Sequence, residues 1–276
     1  GRLQRYQLPG GGFAYWPGAD EAHDWASSYV GHFFVEAGKA GYRIPGGVLG
    51  QWQKYQRGKA LSWTRREPRS GLHQAYRLYT LALAGSPELG AMNRLKEMPG
   101  LEDEARWRLA AAFQMAGQPE AALELVEGAS REVPEYRELS HTFGSTLRDK
   151  AMVLETLGIM DMVDEALPLA GEVSGMLGGD QWHSTHATAF ALIALARLTV
   201  AREGEMALAY SWRGGGRESL RSALPVVQIP LPAPAGEAAV LELENSGTVT
   251  LYARLIRQGV PPPGAEKASR SRLDLK

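Results

Sequence analysis

The chain has 276 residues, of which 44% are hydrophobic and 22% are charged, and its formal net charge is −1. These values indicate a globular protein with one large domain or one domain and a smaller module, and no basic stripe or acidic tail points to a nucleic-acid partner. Because the sequence contains no cysteine, disulfides, cysteine zinc sites and a cysteine nucleophile are excluded for this chain. The compartment stays open, since cysteine-free chains suit the cytoplasm and the bacterial periplasm alike.

Both ends of the sequence read as cut, and no secretion signal opens it. We therefore expect an excised part of a longer protein. The longest apolar run, 187–196, is interrupted by Thr188 and is too short to cross a membrane, so no membrane contact by this segment is expected.

The first distinctive stretch is the loop 10–17, GGGFAYWP. Its glycines allow a turn that directs the phenylalanine inward, and Pro17 ends the segment before a helix. We predict a structural end-loop that packs its aromatic residues on one end of a helical domain and serves as a possible contact surface, with a ligand pocket as the weaker alternative. The residues of this prediction are Gly11, Gly12, Phe13, Trp16 and Trp25.

Residues 20–202 show apolar side chains at helical spacing, with prolines near helix starts and glycines near helix ends. Three similar stretches each contain a helix, a glycine turn and a second helix rich in alanine and leucine, and the predicted turn glycines are Gly85, Gly117 and Gly158. This spacing predicts stacked helical hairpins that cover one another's apolar faces.

The pattern changes near Gly204. The stretches MALAYSW, ALPVVQIPL, AAVLELE and TVTLYARLIRQG have β-branched residues and partial alternation, and the NSG at 245–247 predicts a hairpin turn. We predict two parts: residues 1–203 as a helical domain whose N-terminal portion lies outside the chain, and residues 204–276 as an incomplete antiparallel β domain.

Two motifs could bind a metal or an anion. His183 and His186 are three residues apart, but they have no third ligand in register, and Ser184 or Thr185 between them is a natural N-cap for the next helix. The RGGGR sequence at 213–217 lacks the lysine and helix start of a phosphate loop, so a hairpin loop is the better interpretation.

Charged side chains offer two further candidates. Residues 102–104 are three acids that precede Arg106 and Arg108, and we interpret them as first-turn acids favoured by the helix dipole rather than as an acid–base cluster. Arg148 and Asp149 begin an apolar helix and are expected to tie it to a neighbour. His73 is expected to be a partly buried structural histidine. We assign no catalytic, cofactor-binding or metal-binding residue to this chain, and we do not expect an enzyme.

Several of these stretches together resemble one known family. LQRYQLPGGGFAYWPG followed by DWASSYVGHFFVEAGKAGYRIP, Phe143-Gly144-Ser145 followed by Arg148-Asp149, WHSTHATAFALIALAR and GTVTLYARLIRQGVPP resemble, in the same order, the thioester-domain region of the bacterial alpha-2-macroglobulins. His186 stands where that family usually has glutamine.

The resemblance implies a mainly α fold: an α/α toroid of helical hairpins followed by part of a CUB-like β domain. It also implies a parent that is a periplasmic, lipid-anchored protease inhibitor, which entraps the protease that cleaves it. The implied partners are trapped proteases and other domains of the parent chain. A thioester of the Cys-x-x-Gln type would need residues outside this chain.

Two other functions are compatible with helical hairpins. A toroid enzyme of the terpene cyclase or prenyltransferase type would need an aspartate-rich motif or a zinc site, which the sequence lacks. A helical-repeat scaffold of the tetratricopeptide type fits ARWRLAAAFQMAGQPEAALELV but not the aromatic end-loop.

Overall fold

The computed structural model divides into two compact units, a helical unit (Gly1–Arg202) and a β unit (Glu203–Lys276). The structure describes residues 2–65, 70–139, 142–200, 205–223, 227–232, 239–248, 251, 253 and 255.

Within the described residues the helical unit contains a short 3-10 helix and nine α-helices. They are the 3-10 helix Arg2–Tyr6, α1 (Asp24–Lys39), α2 (Val48–Ser62), α3 (Ser70–Leu83), α4 (Leu89–Lys96), α5 (Asp103–Met115), α6 (Pro119–Val126), α7 (Thr146–Ile159), α8 (Val163–Leu177) and α9 (Thr185–Val200). No helix in the described part of the chain is long and apolar enough to span a bilayer.

The odd-numbered helices α1, α3, α5, α7 and α9 form an inner set that begins at the same end of the unit. Trp25 at the start of α1 lies 5.5 Å, between ring centroids, from His73 near the start of α3 and 5.9 Å from His186 at the start of α9. The start of α3 at Gly71 lies against the start of α5 at Ala105. Because the first and last helices also meet through side chains, the helices curve back on themselves, as a toroid requires and an open solenoid does not.

Each of the first four inner helices ends in the same turn. The residue after the C-cap has a positive φ, and the next N–H donates to the carbonyl five residues back, as in Ser86 to Leu81 and Gln118 to Phe113, both at 2.9 Å. Gly85 and Gly117 occupy the positive-φ position as predicted. Gly158 does not: it lies inside α7, and Asp161 (φ 57°) makes that turn, since aspartate tolerates the left-handed region better than most residues.

The core is built mainly from α3, α5 and α7, whose side chains are buried on almost every face. The outer helix α2 joins this core through Trp52, which is fully buried and donates a hydrogen bond from Nε1 to the Ser27 carbonyl at 2.7 Å. Any Cβ at Gly31 would lie 2.0 Å from the Trp52 ring. The close packing of α1 on α2 therefore depends on a glycine at this position.

A buried carboxylate connects the inner helices at mid-length. Glu155 on α7 accepts a hydrogen bond from Tyr79 of α3 at 2.9 Å and from Arg108 of α5 at 2.8 Å. Arg197 of α9 lies 2.8 Å from the same carboxylate and 2.6 Å from Glu36 of α1. We call these five residues the Glu155 cluster. Its charges alternate in sign, so each buried ion has an opposite neighbour.

The β unit contains a three-stranded antiparallel sheet in its described residues. The strands are β1 (Met206–Trp212), β2 (Glu218–Ser222) and β3 (Leu241–Asn245), in the order β2-β1-β3. The 213–217 loop joins β1 to β2 as a hairpin, as predicted, while Gly247 donates to the Asn245 side chain at 3.0 Å in a turn after β3.

One predicted strand is wrong. The described residues of ALPVVQIPL, 223 and 227–231, have no regular structure, and its prolines cannot donate to a ladder. Residues 218–222 form β2 instead. The predicted strand TVTLYARLIRQG lies largely outside the described residues.

Candidate functional site

The end-loop is a small hairpin that lies along α2. Gln7 and Phe13 form an antiparallel bridge, and the Leu8 N–H donates to the Gly12 carbonyl at 2.8 Å. Gly11 has a φ of 94°, and a Cβ there would lie 2.2 Å from the carbonyl oxygen of Gln51. Gly11 is therefore required by the turn and by close approach to the helix, and a Cβ at Gly12 would lie 2.6 Å from the Tyr55 ring, whereas Gly10 has open space.

The two tryptophans of the end-loop prediction have opposite environments. Phe13 and Trp25 are buried, and the Phe13 N–H donates to Ser27 Oγ at 2.8 Å. Trp16 is 76% exposed, so the expectation that it packs into the helical domain is wrong. Trp16 lies in the turn before α1, where the Ala19 N–H donates to the Trp16 carbonyl at 3.3 Å, and its ring is exposed to solvent there. The helical spacing of Trp25, Tyr29 and Phe33 predicts that Phe33 also faces the interior, but it is 53% exposed.

Trp25 connects three helices at the end where the inner helices begin, which we call the pole. Its Nε1 donates to His186 Nε2 at 3.1 Å, and the Arg148 guanidinium lies 4.6 Å from its ring centroid. Since His186 Nε2 accepts, the imidazole proton is on Nδ1. Burial, with a smaller effect of the Arg148 charge, lowers the pKa of His186 to about 3, so this imidazole is neutral and acts as an acceptor.

Arg148 and Asp149 are both fully buried and anchor the loop that precedes α7. Arg148 donates to the Asp149 carboxylate at 2.7 Å and to the Thr142 carbonyl at 3.0 Å. The Tyr136 hydroxyl donates a short hydrogen bond to the other Asp149 oxygen. The predicted link between α7 and a neighbour is therefore made chiefly to the 136–145 loop, with Trp25 of α1 against the guanidinium.

The 136–145 loop is closed by Glu138 at its base. The Glu138 N–H donates to the Gly144 carbonyl at 2.8 Å, and its carboxylate accepts from the Thr142 hydroxyl. Burial opposes ionisation, but hydrogen bonds from Thr142 and Gly144 outweigh it and lower the pKa of Glu138. Phe143 has a φ of 51°, a conformation that costs free energy for a bulky residue and is held here by the hydrogen bonds around it.

Large apolar side chains are exposed around the pole, on the loops that precede α1, α7 and α9. Phe143 lies 5.8 Å from Tyr15, and the Arg137 guanidinium lies 4.5 Å from the Trp182 ring. We call these residues the apolar rim: Tyr15 (40% exposed), Trp16 (76%), Leu139 (77%), Phe143 (39%) and Trp182 (67%). Exposed apolar residues grouped in this way mark contact surfaces more often than isolated ones.

The predicted metal candidates point to different partners. Ser184 is the N-cap of α9, with its Oγ accepting from the Ala187 N–H at 3.1 Å. His183 lies 3.0 Å from the Met176 carbonyl, whereas His186 accepts from Trp25. Among the described residues no three histidine, aspartate or glutamate side chains are grouped as metal ligands.

The acidic run at 102–104 does not form a cluster with both arginines. Glu102 pairs with Arg65 at 3.0 Å, and Asp103 lies 3.5 Å from Arg106 in the first turns of α5. Arg108 points the other way, into the Glu155 cluster. The interpretation as first-turn acids therefore agrees with the structure.

Burial and nearby charges also lower the pKa of two further histidines. His73, which is half-buried as expected, has its pKa lowered to about 4 by burial and by the Arg77 charge. Burial likewise lowers the pKa of His32 to about 4. Both are neutral at pH 7 and cannot supply the positive charge of an acid catalyst there.

Two important residues, Tyr136 and Glu155, were not identified from the sequence. Glu155 lies in the apolar run AMVLETLGI, and a lone acid there was a signal of a buried ion pair. Tyr136 lies in a polar loop with no periodic pattern, and nothing local to it indicated that it reaches Asp149.

No family model matches the sequence. The alpha-2-macroglobulin of Escherichia coli K12 is 25% identical over 281 residues, covering 94% of this chain and 16% of that protein. The native E. coli alpha-2-macroglobulin determined by cryo-electron microscopy has a TM-score of 0.64 at 22% identity, covering 89% of this chain and 15% of that one. The trypsin-activated E. coli protein has a TM-score of 0.62 at 23% identity, covering 88% of this chain and 16% of that one.

At these identities the solved structures establish the fold, and the sequence similarity establishes the resemblance over nearly the whole chain. This chain spans about a sixth of the length of the relatives it matches. The resemblance stated from its motifs is confirmed, and the mainly α fold with a small antiparallel β part is confirmed with it: in sequence and in fold, this chain is similar to a segment of the bacterial alpha-2-macroglobulins.

Proposed function

We propose that this chain is part of a bacterial protein that inhibits proteases by entrapping them. The observation that carries the proposal is the similarity to an alpha-2-macroglobulin along 94% of the chain. The E. coli relative is known in a form activated by trypsin, so that protein responds to a protease. In this proposal the chain supplies a scaffold and contact surfaces rather than catalysis.

The helical unit would be the thioester-type domain of the parent, over residues 1–203, and the β unit would be a CUB-like segment, over residues 204–276. With no cysteine in this chain, it cannot itself provide the thiol of a Cys-x-x-Gln thioester. Covalent capture would then depend on a cysteine elsewhere in the parent. Entrapment by a change of shape alone would need no thioester.

The apolar rim would be a contact surface toward other domains of the parent. Three loops bring it together at the pole, and hydrogen bonds hold two of them at their bases: Ser27 fixes the end-loop at Phe13, and Asp149 fixes the 136–145 loop at Tyr136. A surface held rigidly before binding loses less conformational entropy on contact.

The fold is shared with the native and the trypsin-activated relative at nearly the same TM-score. This supports a segment that keeps its fold when the parent is activated. We propose the periplasm or cell envelope, with a lipid anchor on the parent, as the location, and fractionation of cells with an antibody to this chain would test it.

The direct test uses the full-length parent incubated with trypsin. Entrapment predicts that trypsin keeps its activity on a small chromogenic peptide but loses it on casein, because an enclosed protease admits only small substrates. Casein hydrolysis at the rate of free trypsin would contradict the proposal.

The thioester question needs a separate measurement. Mass spectrometry of the peptide just upstream of Gly1, with and without methylamine, would show a free thiol and one methylamide if a thioester exists. An upstream peptide without cysteine would leave entrapment by shape change.

A further inference from the structure

A surface groove lies between the end-loop and the outer helix α2. It has a volume of about 560 Å³, within the range of sites that hold small molecules or a few residues of peptide. One wall is the backbone turn at Pro9 and Gly10, and the other is one face of α2. The α2 residues are Gln51, Lys54, Tyr55, Gly58, Lys59 and Ser62.

The groove is basic although the whole chain is nearly neutral. Residues 1–19 contain two arginines and no acid, and residues 40–65 contain five basic residues and no acid. The end-loop lies on α2, with Gln7 donating to the Val48 carbonyl at 3.0 Å, so these two acid-free segments are neighbours. Both lysines of the groove, Lys54 and Lys59, lie on α2, and the end-loop supplies the uncharged wall at Pro9 and Gly10.

The lysines that line the groove are available to a ligand. Arg57, on the same helix, pairs with Glu88 at 2.6 Å, but within the described residues no acid lies at ion-pair distance from Lys54 or Lys59. Asp24 accepts a hydrogen bond from the lining residue Tyr55 at 3.5 Å and pairs with Arg77 at 3.0 Å. None of the eight described lining residues is acidic.

The shape of the groove suits a peptide backbone. Gly10 and Gly58 have open space where a Cβ would be, so a ligand can approach the protein backbone there. The Gln51 amide and the Ser62 hydroxyl can bond to peptide groups between the two ammonium groups. A flat bilayer surface would meet such a recess poorly, and the lining offers only two cations, fewer than the 6–10 phosphate contacts typical of proteins that bind DNA.

We infer that this groove is a docking site for an acidic peptide segment of another protein, with Lys54 and Lys59 as its charge partners. The carboxylates would pair with the two lysines, and the backbone would lie over Gly58. This inference does not depend on protease entrapment, because it rests on the groove alone.

The test is a nuclear magnetic resonance titration of the full chain with acetyl-EEGEEG-amide, and with acetyl-QQGQQG-amide as the neutral probe. We expect amide shifts confined to the groove, at Gly10, Gln51, Gly58 and their neighbours. We also expect at least tenfold weaker binding at 500 mM salt than at 50 mM, because exposed charge pairs are screened.

Three variants sharpen the test. Lys54→Gln with Lys59→Gln should weaken the acidic peptide at least tenfold. Gly58→Gln keeps both charges and favours the helix, yet fills the groove, and should weaken binding as much. Lys96→Gln with Lys150→Gln removes two lysines elsewhere, each paired with a glutamate, and should change binding less than twofold.

Shifts spread over the whole surface, or equal affinity in all variants, would overturn the inference. The inference would also be overturned if the acidic peptide does not bind but phosphatidylglycerol vesicles or a single-stranded oligonucleotide bind tightly, and if that binding requires Lys54 and Lys59. Loss of the helical circular-dichroism signal would show misfolding in a variant, and the wild-type shift map then decides alone.

Discussion

Two buried arginine–carboxylate pairs stabilise different parts of the helical unit. The pair of Arg108 and Glu155 lies at mid-length and connects different helices, together with Tyr79 and Arg197. The pair of Arg148 and Asp149 is formed by neighbours on one helix and connects that helix to a loop.

The difference shows what each buried charge specifies. Ion pairs in a core add little stability compared with apolar side chains, but they are costly to break. The Glu155 cluster therefore raises the free energy of any arrangement in which the inner helices do not meet. The Arg148–Asp149 pair raises the free energy of any arrangement in which the 136–145 loop is displaced. The first acts on the closure of the toroid and the second on the contact surface.

Breaking the mid-length cluster should have the largest effect. Glu155→Gln leaves the fully buried Arg108 without its counter-charge, while Arg197 keeps Glu36, and we expect a loss of about 3–5 kcal/mol in the free energy of unfolding. Urea denaturation followed by circular dichroism measures it. Glu172→Gln, which removes only a more exposed pair with Lys150, is the control and should cost no more than about 1 kcal/mol. Equal losses would contradict the distinction.

Removing the aromatic centre of the pole should be nearly as costly. Trp25→Ala would empty a fully packed site between Tyr76 and Arg148, and about 3–5 kcal/mol is expected from cavity formation. Thermal unfolding measures the change. A melting temperature within one degree of the wild type would show that the ring is not part of the core.

Lowering the pH should reduce the stability of the helical unit, both at mid-length and at the pole. The pKa of His32 is about 4 in the folded protein, against about 6.5 unfolded, so the unfolded state binds more protons as the pH falls through this interval. Stability should be level above pH 7 and fall by about 3 kcal/mol from this group by pH 4. His73 and His186 change in the same direction.

Glu155 acts in a lower pH window. Burial would raise its pKa, but Arg108, His32 and Arg197 outweigh burial and lower the pKa to about 2, so its contribution is present above about pH 4.5 and lost below. Urea titrations at several pH values separate the two windows. His32→Gln should reduce the slope of stability against pH between pH 6.5 and 4 and leave the part due to His73 and His186, and an unchanged slope there would contradict the assignment.

Removing a hydrogen bond that holds the 136–145 loop should have a smaller and more local effect on stability. Tyr136→Phe removes the hydroxyl that donates to the buried Asp149 carboxylate, and about 1–3 kcal/mol is expected. Limited proteolysis should cut within residues 136–145 faster than in the wild type. Tyr42→Phe, at an exposed tyrosine, should leave cleavage unchanged.

The smallest effect is expected at the apolar rim. Trp16→Ala removes a ring that is 76% exposed, so unfolding should change by no more than about 0.5 kcal/mol. A loss comparable to that of Trp25→Ala would mean that Trp16 is buried after all and would remove it from the contact surface.

Much of the fold could be predicted because its signals are local. Gly85 and Gly117 end helices where the sequence indicates, and Ser184 caps α9. Gly158 misled because the same apolar pattern continues past it into α7, and the turn falls on Asp161. Local patterns thus predicted the elements but not every boundary.

The candidate site was predicted only in part. The GGGFAYWP loop indicated aromatic residues at one end of the helical domain, and Phe13 and Trp25 are buried there. Burial of Trp16 was wrongly expected because its neighbours along the chain do not reveal which side of the loop faces the core.

By itself, the sequence determined helical hairpins, their turns, an end-loop rich in glycine and a family resemblance, because each depends on residues a few positions apart. Only the tertiary structure decided that Glu155 meets Tyr79, 76 residues away, that Trp25 meets His186, 161 residues away, and that the end-loop lies on α2 and forms a groove beside Lys54 and Lys59. Such contacts depend on how helices pack, and packing is set by the whole set of side-chain shapes and charges rather than by any local pattern.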